Sequence, residues 1–297
     1  MAAMFALSAM LAMPGLQGLG RAQQAGVTAA LTADPPVDPH HPARLVELTV
    51  PSHGSPMNAV FYLASGAGPH PVVLLLHGFP GNEQNLDLAQ AMRRAGWSVL
   101  TLHYRGSWGS PGAFSFSHAI EDTDAAVAFL RDPAVATRYS LDPKRIVLIG
   151  HSMGGFLALH AASTHPELIG VAAISAWNIG GEATAARTPA GERGMTDSLR
   201  SELAPLVGCT AESLFADAKA HASAWNFVDY AAAIGTRPAL FLEADDGLAE
   251  ANAALARALR QTGNQRVTEQ HLATDHSFSD HRIALESVVL TWLGSLQ

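Results

Sequence analysis

Ser152 lies between Gly150 and Gly154 in the stretch LIGHSMGGFL, residues 148–157. A serine in that setting can attack a carbonyl carbon if three conditions hold. Its oxygen must stand clear of the backbone, a base must take its proton, and an acid must orient the base. The two glycines address the first condition. A strand that turns abruptly into a helix leaves no room for side chains beside the serine, and it holds the serine in a strained conformation. The apolar run RIVLI before the motif supplies such a strand, and MGGFLALHAASTHP after it supplies the helix.

The partners should follow in the order serine, acid, histidine. RPALFLEADDG ends a strand-like run with Asp245 and Asp246, and HLATDHSFSD places His276 after the next strand. The interval of about 30 residues accommodates one helix and one strand, so both loops can reach the same sheet edge. Counting from the strand favours Asp246, and counting back from the helix favours Asp245. Asp246 also suits the N-cap of that helix. Asp245 is taken as the acid, with Asp246 as the alternative. His276 is preferred because His271 falls inside a strand and His281 at a helix start. These histidines are five residues apart, which suits no helical metal face, so no metal site is expected.

An acyl-transfer intermediate carries a negative oxygen that backbone N–H groups must meet. The candidates are Met153, which follows the serine, and Phe79 in HGFPG, where Gly78 and Gly81 let the backbone come close. No nucleotide, flavin or phosphate loop is visible, so no cofactor is expected.

Bringing these loops together requires a sheet. RLVELTV and MNAVFYLA read as strands joined by a turn at PSHGSP. HPVVLLLHG and WSVLTLHY are continuous apolar runs, typical of strands buried on both faces. Between them, NEQNLDLAQAMRRAG reads as a helix capped by Asn82 and ended by Gly96. SHAIEDTDAAVAFLRD is a helix with Ile120, Ala126, Val127 and Leu130 on its inner face. GVAAISAW, RPALFLEA and QRVTEQHL continue the strands. AEANAALARALRQTG and RIALESVVLTWLGSL continue the helices. Residues 180–235 interrupt the rhythm and read as a small helical lid inserted between strand units. Residues 33–42, ADPPVDPHHP, are too proline-rich for regular structure. Residues 26–44 are expected to be a linker into a domain spanning 45–297. The fold class is α/β, a mostly parallel sheet with helices on both faces.

Together, HGFPG, GHSMGG, ADDG and DHSFSD resemble the α/β-hydrolase superfamily, over roughly residues 45–297. HYRGSWGSPGAFSF, residues 103–116, is similar to the Tyr-Arg-Gly-Ser stretch of the prolyl oligopeptidase-family hydrolase domain and its esterase relatives. The resemblance implies the α/β-hydrolase fold and a serine hydrolase with Ser152, Asp245 and His276 in the triad positions. A carboxylic ester is the first expectation for its substrate. An amidase or exopeptidase is the second, and a non-catalytic binding protein on the same fold the third. Only about 45 residues precede the first strand of this sequence, too few to contain a gating β-propeller. Residues 180–235 also have no two acidic residues side by side to hold a peptide terminus. Arg105 is expected to brace its stretch by pairing with Asp122 or Asp124. Phe79, Trp108, Phe114, Phe116, Trp177 and Trp225 could form an apolar subsite or pack the lid.

Composition narrows the classes further. Apolar residues make up 48% and charged residues 15%, which supports a large core. The net charge is −8 with no basic run, which argues against nucleic acid and leaves a small-molecule ester or amide as the expected partner. Cys209 stands alone, so no intrachain disulfide forms. The apolar stretch within residues 1–25 is too short to span a bilayer and matches a signal-peptide core, with AQQA near a cleavage point. No Lys or Arg precedes it. Export is favoured over a cytoplasmic location, without stable membrane insertion.

Overall fold

The computed structural model describes residues 21–296. The expected signal segment therefore falls outside the described residues, except for residues 21–25.

Eight strands form one sheet in the order β1-β2-β4-β3-β5-β6-β7-β8. β1 (Arg44–Ser52) and β2 (Ser55–Leu63) make a hairpin that turns at His53 and Gly54. β2 is antiparallel to both neighbours. β4 (Ser98–Leu102), β3 (His70–Leu76), β5 (Leu141–His151), β6 (Gly170–Ile174), β7 (Ala239–Glu243) and β8 (Val267–His271) run parallel. Their C-terminal ends therefore open on one edge, where α/β sheets place their ligands.

Alternation along the central strands divides the core in two. Val72, Leu74, Leu76, Leu148, Val171 and Phe241 face α3 (Phe116–Arg131), α5 (Met153–Thr164) and α10 (Ala249–Gln261). Val73, Leu75, Val147, Ile149, Leu240 and Leu242 face α2 (Leu86–Arg94) and α11 (Arg282–Gly294). Both faces being covered explains why these strands are apolar throughout. α3 buries Ala126, Val127 and Leu130 as expected, with Ile120 partly buried.

Two local expectations are corrected, and one further element is added. α2 starts at Leu86 rather than beside Asn82, because Asn85 turns left-handed (φ 56°) and Glu83 Oε1 accepts its N–H at 2.5 Å. Residues 26–32 are not linker: Arg21–Thr32 form α1, which packs on α11. The Arg94 guanidinium ties it to the body by donating to the Ala30 carbonyl at 2.5 Å. The interval before β5 holds a short helix, α4 (Pro133–Tyr139), which Asp132 caps.

Residues 180–235 are helical, as the broken rhythm suggested. They comprise most of α6 (Ile179–Ala185), α7 (Pro189–Ser201), α8 (Ala211–Ala220), a 3-10 turn at Phe227–Tyr230 and α9 (Ala231–Ile234). Asp217 on α8 accepts the Ser117 hydroxyl (2.6 Å) and N–H (2.9 Å) at the start of α3.

Candidate active site

β5 ends at His151, and the chain reverses into α5 at Ser152, whose φ of 57° and ψ of −120° few non-glycine residues adopt. The neighbouring glycines have a steric cause. A Cβ on Gly150 would lie 1.9 Å from the Gly154 carbonyl oxygen, and one on Gly154 would lie 2.1 Å from that of Leu76. The reversal is pinned by Ser152 N–H donating to the Ile174 carbonyl at 2.9 Å. Ser152 is 8% exposed and lines a cavity of about 420 Å³.

His276 lines the same cavity. Its Nδ1 meets Asp246 Oδ2 at 2.7 Å, so Nδ1 carries the hydrogen and Nε2 keeps its lone pair when the ring is neutral. The partner is thus Asp246, not the expected Asp245. The loop from β7 is short, and the two side chains diverge. Asp246 is 6% exposed at its side chain, whereas Asp245 is 62% exposed and pairs with His271 at 2.9 Å. Asp246 Oδ1 also accepts Leu248 N–H at 3.0 Å, but it does not cap the helix as foreseen: α10 starts at Ala249 with Leu248 as its N-cap. Burial works to raise its carboxyl, but the bonds from His276 and Leu248 prevail and hold it below the usual carboxylate range. His281 pairs with Asp280 at 2.8 Å, so the three histidines have separate carboxylate partners and do not converge.

The loop after β3 lies against the elbow, where a Cβ on Gly78 would fall 2.8 Å from Ser152 Cβ. Phe79 lines the cavity beside Ser152. Met153 heads α5, where the first N–H groups of a helix have no partner inside it. Three groups brace this loop. His77 Nδ1 donates to the Gly78 carbonyl at 2.8 Å, the Tyr104 hydroxyl to the His77 carbonyl at 2.9 Å, and the Trp108 indole to the Pro80 carbonyl at 2.8 Å. Burial pushes the His77 imidazole down to about 3, so it stays neutral. Gly81, at φ +103°, must be glycine because a Cβ there would be 2.6 Å from the His77 ring.

Arg105 pairs with Asp122, one of its two expected partners. Its Nε donates to Oδ1 at 2.5 Å and its backbone N–H to Oδ2 at 2.8 Å. Asp124 pairs instead with His165. The stretch that Arg105 braces carries the lid: Val207 N–H donates to the Gly106 carbonyl at 2.8 Å, and Phe114 N–H donates to the Val207 carbonyl at 2.9 Å.

Of the aromatic candidates, Trp225 packs lid to body against Phe156. Phe79, Phe114, Phe116 and Trp177 form one cluster with ring centroids 5.6 to 6.3 Å apart, and Phe79 and Trp177 reach the cavity wall. Glu83, Glu182 and Glu202 also line the cavity, and among its described lining residues there is no Lys or Arg. Sequence gave no sign of this grouping, because the lid brings together residues 20 and about 100 positions apart. His151, whose ring meets the His276 carbonyl, was equally hidden in an unspecified position of the serine motif.

A parallel sheet with a strained serine, a carboxylate-held histidine and a glycine-rich loop at one edge is the arrangement of an α/β-type hydrolase. Residues 71–219 match the sequence profile of the alpha/beta hydrolase fold, and the chain belongs to that family. It is 30% identical over 131 residues to the sn-1-specific diacylglycerol lipase ABHD11 of Xenopus tropicalis, covering 43% of this chain and 35% of that protein. It is 29% identical over 154 residues to epoxide hydrolase 4 of Mus musculus, covering 52% and 41%. The matches thus span little more than a third of the length of these relatives. Among solved structures, the Pyrococcus furiosus esterase Pf2001 aligns with a TM-score of 0.60 at 20% identity, covering 88% of this chain and 98% of that one. 2,6-Dihydroxy-pseudo-oxynicotine hydrolase aligns with a TM-score of 0.62 at 18% identity, covering 86% and 68%. At such identities the structural likeness establishes the fold.

Proposed function

We propose that the chain is a serine hydrolase that cleaves a small carboxylic ester through an acyl-enzyme. Ser152 Oγ attacks the carbonyl carbon while His276 Nε2 takes the hydroxyl proton. The tetrahedral oxyanion is received by the N–H groups of Phe79 and Met153. As it collapses, the imidazolium returns its proton to the leaving alkoxide, giving an alcohol and acylated Ser152. Water, deprotonated by His276, then releases the acid and restores the serine. Asp246 holds the imidazole tautomer throughout and stabilises its cation. The observation that carries this reading is that strained Ser152 and His276 share one cavity, with Nδ1 of the base held by a buried carboxylate. Opening an epoxide or displacing a halide through an alkyl-enzyme calls for a carboxylate nucleophile where Ser152 stands.

A second reading, an amidase or aminopeptidase-like activity, is favoured by one observation. Glu83, Glu182 and Glu202 make the cavity wall acidic, which suits a substrate bearing an amine over one bearing a carboxylate. A short-chain 4-nitrophenyl ester tested against an aminoacyl 4-nitroanilide separates the two. The ester reading predicts a pre-steady-state burst of nitrophenol and kcat/KM at least about 100-fold above that for the anilide, since the better leaving group needs less protonation. Faster turnover of the anilide would replace it with the second reading. An acyl-chain series then measures how far the Phe79–Trp177 wall accepts apolar groups.

A further inference from the structure

The backbone carbonyl of His276 has a dedicated partner. His151 Nε2 lies 2.8 Å from it, and the two imidazole rings are 4.5 Å apart between centroids, tilted by 40°. A carbonyl oxygen only accepts, so Nε2 of His151 carries the hydrogen and Nδ1 the lone pair. That Nδ1 is buried and has no partner among the described residues. His151 is 3% exposed. An orphaned buried acceptor costs about 1–3 kcal/mol, so packing alone would favour an apolar residue here.

The remaining restraints on the base loop flank His276 without touching its peptide: before it, the Thr274 carbonyl accepts the Asp245 N–H at 3.0 Å. Arg282 Nη1 donates to the Ser277 carbonyl at 2.9 Å, and Phe278 is fully buried at φ 56°. Asp246 holds only the ring. Among the described residues, His151 alone joins the peptide of the base to the end of β5, one residue before Ser152. Burial and the neighbouring His276 push the His151 imidazole down to about 3, so it adds no charge beside an imidazolium forming on His276.

Building on the serine hydrolase reading above, we propose that His151 is a positioning residue that sets the distance between Ser152 Oγ and His276 Nε2 by gripping the base's own backbone carbonyl. Displacing a reacting group by about 1 Å can cost on the order of 100-fold in rate.

The test compares His151→Gln with His151→Met, side chains of similar length of which only the first can donate. His151→Phe is a second donor-free variant. kcat and KM for a 4-nitrophenyl ester, and the rate of reaction with a fluorophosphonate, are measured well below each thermal midpoint. The expected result is a kcat lower by about 10- to 100-fold in the Met and Phe variants, with KM within about threefold and kcat within about fivefold of wild type in the Gln variant. Equal losses in Gln and Met, or none in either, would overturn the proposal. A readout that needs no variant is the His151 Nε2–H signal in the nitrogen-15 NMR spectrum of the wild type. The proposal expects that hydrogen to be protected from exchange, and a freely exchanging one would overturn it. Wild-type protein that neither turns over the ester nor reacts with the fluorophosphonate would remove the hydrolase reading and this inference with it. An active wild type with matched Gln and Met variants removes this inference alone.

Discussion

Asp245 and Asp246 share a loop but not an environment, and their mutants should differ accordingly. Asp246→Asn leaves the shape intact but favours the wrong imidazole tautomer, so kcat for the ester should fall by about 10³ to 10⁴. Asp245→Asn loses an exposed contact with His271 and should leave kcat within about threefold. Steady-state assays of the two variants check this, and equal losses would contradict the pairing. Gly154→Ala forces a Cβ to 2.1 Å from the Leu76 carbonyl oxygen and should lower stability by about 3 kcal/mol or more, read by chemical denaturation. Ser152 was legible because it directly follows a strongly apolar strand, and His276 because it follows the next strand after the acid loop, although that edge strand, VTEQH, is itself largely polar. The choice between adjacent aspartates was not, because it turns on where a short loop leaves its strand, and element ends are the least determined feature of a sequence. His151 lies in a motif position that steric need leaves open, so nothing in its spacing marks it.

At the scale of elements, the Tyr-Arg-Gly-Ser stretch ties core to lid. Arg105 and Asp122 form a buried pair at the base of that stretch, reinforced by the Ser52 hydroxyl on Asp122 at 2.6 Å. Arg105→Met strands the Asp122 carboxylate and should cost about 3–5 kcal/mol, with loosened backbone pairing between Gly106 and Val207 visible as faster amide exchange. Removing both charges in Arg105→Met/Asp122→Leu should recover much of that loss, and no recovery would mean that the pair acts through something other than an unpaired charge. The strands were readable because burial on both faces leaves long apolar runs. α1 and the start of α2 were harder. α2 begins after a left-handed residue held by Glu83, and α1 is held by the long-range Arg94–Ala30 bond, neither of which leaves a local pattern.

For the whole molecule, buried histidines set the response to acid. His77 and His151 are each pushed by burial to about 3, against about 6.5 when unfolded. Between those values the unfolded chain binds protons that the folded chain refuses, so stability falls as pH drops, by roughly 1 kcal/mol per pH unit for each histidine. Glu243 opposes this: burial, aided by Glu269, pushes its carboxyl up to about 7, which favours the folded state as pH falls from 7 towards its ordinary 4.5. Glu243 offsets only one of the two histidines, so the expected profile falls by about 1 kcal/mol per pH unit from about 6.5 to 4.5 and more steeply below, where Asp246 and Asp87, both held low, add to the loss. Denaturation midpoints across that range, with His77→Phe flattening the acid limb, check the sign.

The central claim is chemical, and a covalent trap reads it most directly. Incubation with a fluorophosphonate, followed by intact-mass measurement and peptide sequencing, should show one phosphonyl group per chain, on Ser152, and none in Ser152→Ala. An adduct on another residue, or an unchanged mass in a wild type shown to be folded, would contradict the account.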